Sequence, residues 1–305
     1  MIDIATVCYR DLEKTQRFIR SIIEKTTEPF NLVIVDNNSE ADVLNLLDTL
    51  RTSKMPPLLK SLTIIRNEVN LGIGIGMNQA MRECKSDYII RCDSDIEIVT
   101  SGWTELLTET AKKSSMIGAV ATKSCGGNLR SRDGIIETNI ILSNCMLIPR
   151  TAIRKICATV KNRRSEILER LIPFLNQPEK FEGHHRYLEA IKHWLLKPDG
   201  CWDAGWPLYG FDDFDYSYTL LWSDLILTKD DRVDVIHHDS SLRPDWKETR
   251  HKAVSEGARY FRTKWEIIED HWDDPESPGG KGWKDLYHFL PRIRKYNSGV
   301  LESIK

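Results

Sequence analysis

The chain contains no apolar stretch near the ~20 residues that a membrane-spanning helix requires. It opens on a short run, Ile2-Asp3-Ile4-Ala5-Thr6-Val7-Cys8, followed at once by charges, so the apolar core of a signal peptide is missing too. Its seven cysteines, Cys8, Cys84, Cys92, Cys125, Cys145, Cys157 and Cys201, are an odd number, widely spread and without a C-x-x-C pair. That spacing predicts neither a disulfide framework nor a zinc knuckle, and points to a reduced, soluble, cytoplasmic protein. A surplus of one charge is also lacking. Lys and Arg number 43 against 45 Asp and Glu, a formal net charge of -2, so any nucleic-acid contact would need a local patch, not a global field.

The dinucleotide fingerprint is absent as well. Gly72, Gly74 and Gly76 invite the comparison, but G-x-G-x-x-G needs glycine at position 77, where Met77 stands, and the run follows the third apolar segment instead of the first. Hydride transfer is therefore disfavoured. The glycines instead permit a tight loop and close backbone approach ahead of a helix expected from about Met77 to Cys84.

What is present is an alternation of strands and helices in a chain of 305 residues, long enough for a large α/β core. Ile2 to Cys8, Asn31 to Asp36, Leu62 to Ile65 and Asp87 to Cys92 are apolar runs of strand length. Between the first two lies a helical stripe of Leu12, Phe18, Ile19, Ile22 and Ile23 behind the N-cap candidate Asp11, and then a second of Val43, Leu44, Leu46, Leu47 and Leu50. Strands apolar on both faces, separated by helices, predict a mostly parallel sheet covered on both sides. Such sheets bind ligands outside the carboxyl ends of their strands. Polar residues gather at those ends: Thr6 and Tyr9, Asp36 to Ser39, Asn67 and Asn70, and Asp93-Ser94-Asp95.

The D-x-D is the chemical centre of the reading. Alternate residues of a strand point the same way, so Asp93 and Asp95 can aim two carboxylates at one point. Hard divalent cations such as Mg²⁺ and Mn²⁺ take oxygen ligands of this kind and leave positions for diphosphate oxygens. A carboxylate such as Asp36 can accept from a base or ribose.

Four segments in order resemble the nucleotide-sugar glycosyltransferases of the GT-A fold, and glycosyltransferase family 2 in particular: Thr6 to Arg10, Asp36-Asn37-Asn38-Ser39, Asn67 to Gly72 with Asn78, and Asp93-Ser94-Asp95. Residues 126–245 match more thinly, through Ser143 to Arg150, the acidic Phe211-Asp212-Asp213-Phe214-Asp215, and a strand ending in His237-His238. Thr219 stands where the family often has an arginine. The resemblance implies nucleotide contacts from Thr6, Cys8, Tyr9, Arg10, Asp36, Asn38, Asn67, Gly72, Asn78, Asp93 and Ser94. It implies Mn²⁺ or Mg²⁺ held by Asp93 and Asp95, completed by one of the histidines, with His238 favoured over His237. The general base would be Asp213, with Asp212 competing, and the acceptor would meet Trp206, Tyr209 and Asp215. Transfer would proceed by direct displacement with inversion.

Three parts are therefore expected: a nucleotide-sugar half at 1–125, an acceptor half at 126–245 with a helical insertion near 150–200, and a helical extension at 246–305. Five acids and no Lys or Arg lie in residues 199–215, among aromatic residues suited to a sugar ring. The insertion has seven basic residues between Arg150 and Arg170 against Glu166 and Glu169, a local excess suited to an anionic acceptor. A UDP-sugar is the expected donor. The acceptor expected first is a cell-envelope or lipid-linked glycan, then a modified DNA base; a non-catalytic sugar-binding protein of the same fold is the rival reading.

Overall fold

In the computed structural model, residues 1–123, 128–132, 134–138, 141, 144–175, 202–203, 210–238, 252–258 and 260–261 are described. β1 (Ile2–Cys8) is buried along its whole length, which accounts for its unbroken apolar sequence. It pairs in parallel with β2 (Phe30–Asp36) on one side and with β4 (Tyr88–Asp93) on the other. β3 (Leu59–Arg66) extends the parallel half beyond β2. Strand order thus reverses between β1 and β4, and the switch point opens a crevice at their carboxyl ends.

The sheet continues through β9 (Cys145–Pro149), β6 (Ile117–Thr122), β10 (Ile226–Asp230), β8 (Ile135–Thr138) and β7 (Asn128–Arg132), in that spatial order, making nine strands among the described residues. β9 runs antiparallel between β4 and β6, so the parallel order of the first half does not extend across the sheet. A separate antiparallel ribbon joins β5 (Ile96–Ile98) to β11 (Val235–His237).

Helices cover both faces. α1 (Leu12–Lys25), α2 (Ala41–Thr52) and α4 (Trp103–Lys112) enclose one core, with Phe18, Leu47 and Trp103 against the β1 and β2 residues Ile4, Leu32 and Ile34. Asp11 caps α1, its carboxylate accepting from Lys14 N at 3.3 Å. α3 (Ile73–Glu83), α5 (Arg150–Leu175) and α6 (Asp212–Trp222) enclose the other core, joined by Tyr260 and Phe261 from the helical residues 252–258 and 260–261.

α3 begins one turn earlier than Met77, the start expected from sequence, because Gly72 adopts a left-handed φ of 83° as its N-cap. Gly74 and Gly76 then fall inside the helix, where glycine costs roughly 1 kcal/mol relative to alanine. Space explains them. A Cβ on Gly74 would lie 2.7 Å from the Asp203 carbonyl oxygen, and one on Gly76 3.0 and 3.1 Å from the Val7 methyls. Glycine lets the helix sit directly on the sheet and on the 202–203 segment.

Candidate active site

The rim of the crevice is built from asparagines. Asn37 is buried, and its side chain donates to Asn70 Oδ1 at 2.8 Å and to the Gly72 carbonyl at 3.3 Å, while accepting from Asn67 at 3.1 Å and Leu71 N at 3.0 Å. Asn67 also exchanges hydrogen bonds of 2.9 Å with Gln79 in both directions. These bonds tie the loops after β2 and β3 to α3. Asn38, the neighbour expected to meet nucleotide, is exposed at a φ of 69°.

Other expected nucleotide contacts, Thr6, Cys8, Asp36 and Asn78, are buried. Thr6 is buried within β1, and Asp36 is buried with Oδ1 accepting from Ser39 N at 3.1 Å. Burial, reinforced by Asp36, pushes the Cys8 thiol up to about 12, which keeps it a neutral packing group. Tyr9 and Arg10 are partly exposed, with the Arg10 guanidinium 4.9 Å from the Tyr9 ring and its Nε 3.5 Å from Glu40. Asn78 is buried too: its Nδ2 donates to the Trp202 carbonyl at 2.7 Å, and its Oδ1 accepts from Trp202 N at 3.1 Å. That side chain latches α3 to a segment 124 residues downstream.

At the end of β4 the carboxylates converge. Asp93, Asp95 and His237 each present a ligand atom, all within 4.8 Å of one another. Asp95 Oδ1 is buried without a hydrogen bond among the described residues and faces His237 Nε2 at 3.3 Å. Two carboxylate oxygens and an imidazole nitrogen fit a divalent cation, and the nitrogen suits Mn²⁺ better than Mg²⁺. Burial pushes Asp93 up to about 6; Arg91 opposes that, whereas Asp95 and Asp212 reinforce it. A bound cation would invert this local preference.

His238, favoured from sequence as the third ligand, is directed elsewhere. Adjacent strand residues alternate, and the ribbon that pairs Ile96 with His237 turns His237 toward Asp95. His238 instead sits 3.0 Å from Arg17 through Nδ1 and 2.8 Å from Glu97 through Nε2. Arginine only donates and carboxylate only accepts, so Nδ1 is the acceptor and Nε2 carries the proton. The His238 backbone N–H also donates to the Asp95 carbonyl at 2.9 Å, holding the ribbon against the D-x-D turn.

Across the crevice, Asp212 and Asp213 open the first turn of α6, after Phe211 at a left-handed φ of 63°. Burial raises the Asp212 carboxyl, with Arg91 opposing. Asp215, expected to meet the acceptor, is buried at 3% exposure on the inner side of this helix. Trp206 and Tyr209, the other acceptor candidates, lie outside the described residues, as do most of the expected insertion after Leu175 and most of the C-terminal extension.

Arg91 was not singled out from sequence, although it is central. It is 2% exposed on β4, its Nη2 lies 2.7 Å from Asp93 Oδ1, and its Cζ lies 5.3 Å from the Trp202 ring. Trp202 in turn stacks on Tyr216 with centroids 4.4 Å apart. The available signal was a lone charge inside the apolar run Tyr88 to Cys92, a position that demands buried partners.

A parallel half-sheet reversing at β1 and β4, with paired carboxylates at the reversal and an acidic helix start facing them, defines the GT-A fold of glycosyltransferases. The chain belongs to glycosyl transferase family 2, whose model matches residues 3–180. Over 98% of its length it resembles the crystal structure of GalNAc-T7 with UDP, GalNAc and Mn²⁺, at 13% identity and a TM-score of 0.54, covering 54% of that chain. The crystal structure of S. aureus TarS 1-349 matches 50% of this chain and 48% of that one, at 17% identity and a TM-score of 0.38. The chain thus spans about half the length of both solved structures. A search of the curated proteins finds no match. Among the described residues no helix is long and apolar enough to cross a membrane.

Proposed function

We propose that the protein transfers a sugar from a nucleoside-diphosphate donor, a UDP-sugar, to an acceptor hydroxyl with inversion at the anomeric carbon. The observation that carries this reading is the convergence of Asp93, Asp95 and His237 at the switch-point crevice. These three residues would hold Mn²⁺. When bound, the cation supplies Lewis-acid neutralisation of the leaving diphosphate. UDP and Mn²⁺ are both present in the crystal structure of GalNAc-T7, which supports the choice of each.

The protein's own groups supply the rest. Tyr9 and Arg10, partly exposed just after β1, would meet the nucleotide, while the asparagine network holds the loops that shape its pocket. Asp213 is assigned as the base that accepts the acceptor hydroxyl's proton. Asp212 is the less suitable of the two, because its charge already acts on Asp93 at the metal side. The acceptor we assign is a cell-envelope or lipid-linked glycan, in keeping with the exposed Arg154 and Lys161 on α5.

The test is a panel of UDP-sugars with Mn²⁺, reading UDP and pyrophosphate separately. Release of UDP that Asp95→Asn and Asp213→Asn each abolish is the expected outcome, with Asp213→Asn still binding UDP. Pyrophosphate release would identify a nucleotidyltransferase and overturn the assignment.

A further inference from the structure

We infer that Arg91 is a positioning residue for metal binding: it holds the Asp93 carboxylate by Oδ1 and so presents the other oxygen to the cation. The inference rests on the metal site proposed above and adds a residue to it. Its geometry begins with strand alternation. Arg91 and Asp93 are two apart on β4, so their side chains leave the same face, and Nη2 reaches Asp93 Oδ1 at 2.7 Å. A carboxylate gripped through one oxygen keeps a fixed rotation, and partners that orient a ligand in this way commonly govern metal affinity.

Packing alone does not account for an arginine here. The side chain is 2% exposed, and its Nε and Nη1 are buried with no hydrogen-bond partner among the described residues. A buried guanidinium with two unpaired nitrogens is an arrangement that an apolar residue of similar volume would avoid. Its position is maintained from three sides: Asp93 on its own strand, the Trp202 ring at 5.3 Å, and the charges of Asp213 and Asp212 from α6. Trp202 is itself pinned by Asn78 and stacked on Tyr216. The α6 acids also answer the obvious objection that a guanidinium repels a cation. Two carboxylates, Asp93 and Asp95, converge at the site, and Asp212 and Asp213 offset the charge of the one arginine beside it.

The experiment is a titration of the full chain with Mn²⁺ alone, read by the electron paramagnetic resonance of free Mn²⁺, for wild type, Arg91→Met, Arg91→Lys and Asp95→Asn. Melting temperatures verify folding. Arg91→Met should bind Mn²⁺ about 10- to 100-fold more weakly. Arg91→Lys should fall between, since an ammonium keeps the charge and loses the planar fork. In turnover, saturating Mn²⁺ should restore most of kcat to Arg91→Met while its Mn²⁺ requirement stays raised, a split that a merely structural role would not give. If Arg91→Met matches wild type while Asp95→Asn loses Mn²⁺, the role of Arg91 is refuted and the metal site stands. If Asp95→Asn also matches wild type, both fall. Should Arg91→Met fail to fold, Arg91→Lys decides: an affinity within about twofold of wild type refutes the inference.

Discussion

Replacing Asn78 with alanine separates a nucleotide ligand from a structural latch. The side chain is buried, donates to the Trp202 carbonyl at 2.7 Å and accepts from the Trp202 amide at 3.1 Å. Each bond contributes about 1 kcal/mol net, and the abandoned Trp202 backbone groups add a desolvation penalty of about 1–3 kcal/mol. Asn78→Ala should therefore cost about 3–5 kcal/mol. Asn78→Asp should cost as much, because it keeps the acceptor but turns a carboxylate oxygen on the Trp202 carbonyl. Urea unfolding reads the effect as a lowered midpoint with an unchanged slope. UDP affinity, measured well below the unfolding midpoint, should change little beyond what the displaced segment causes. The reverse pattern, stability within about 0.5 kcal/mol of wild type and UDP binding lost, would show that the side chain meets the nucleotide and that the latch is wrong.

Gly74→Ala should destabilise by about 1–3 kcal/mol despite its better helix propensity, because its new methyl would meet the Asp203 carbonyl oxygen; thermal unfolding checks it. His237→Ala should weaken Mn²⁺ binding at least tenfold, whereas His238→Ala should keep it within threefold and lower stability by about 1 kcal/mol, as paired titration and unfolding would reveal. Asp230 offers a pH test away from the crevice. Burial acts to raise its carboxyl, but hydrogen bonds from Arg232 and Thr110 outweigh it and hold the group below its ordinary 3.8. A depressed acid stabilises the fold above its unfolded value and ceases to as pH falls through its folded one. Wild type should thus exceed Asp230→Asn by about 1–3 kcal/mol at neutral pH, screening at the half-exposed Arg232 included, and the gap should close below pH 3.8; a constant gap would refute the pairing.

Strands β1, β2 and β4 were legible because burial on both faces leaves an unmistakable apolar run, and the D-x-D stood out as the polar end of one. Helix α3 was misjudged at its start because glycine propensity argues against a helix where close packing on Val7 and Asp203 requires one. The choice between His237 and His238 turned on a single step of strand alternation. That step is set by pairing with Ile96, 141 positions earlier, which no local pattern reveals. Asn78 resembled a ligand contact in sequence, since a side chain that bonds buried backbone, as Asn78 does at Trp202, has the same residue type as one that bonds a nucleotide. Arg91 could be noticed as an anomaly, but the partners that explain it come from α6 and Trp202, far along the chain.

The ribbon of β5 and β11 carries one more consequence. Because it stitches Ile96–Ile98 to Val235–His237, more than a hundred residues later, a cation at Asp93, Asp95 and His237 would act as a rivet across the chain. Stripping it with a chelator should loosen the seam at Val233 to His238 before any other strand frays, so limited proteolysis would cut there first and spare the parallel half.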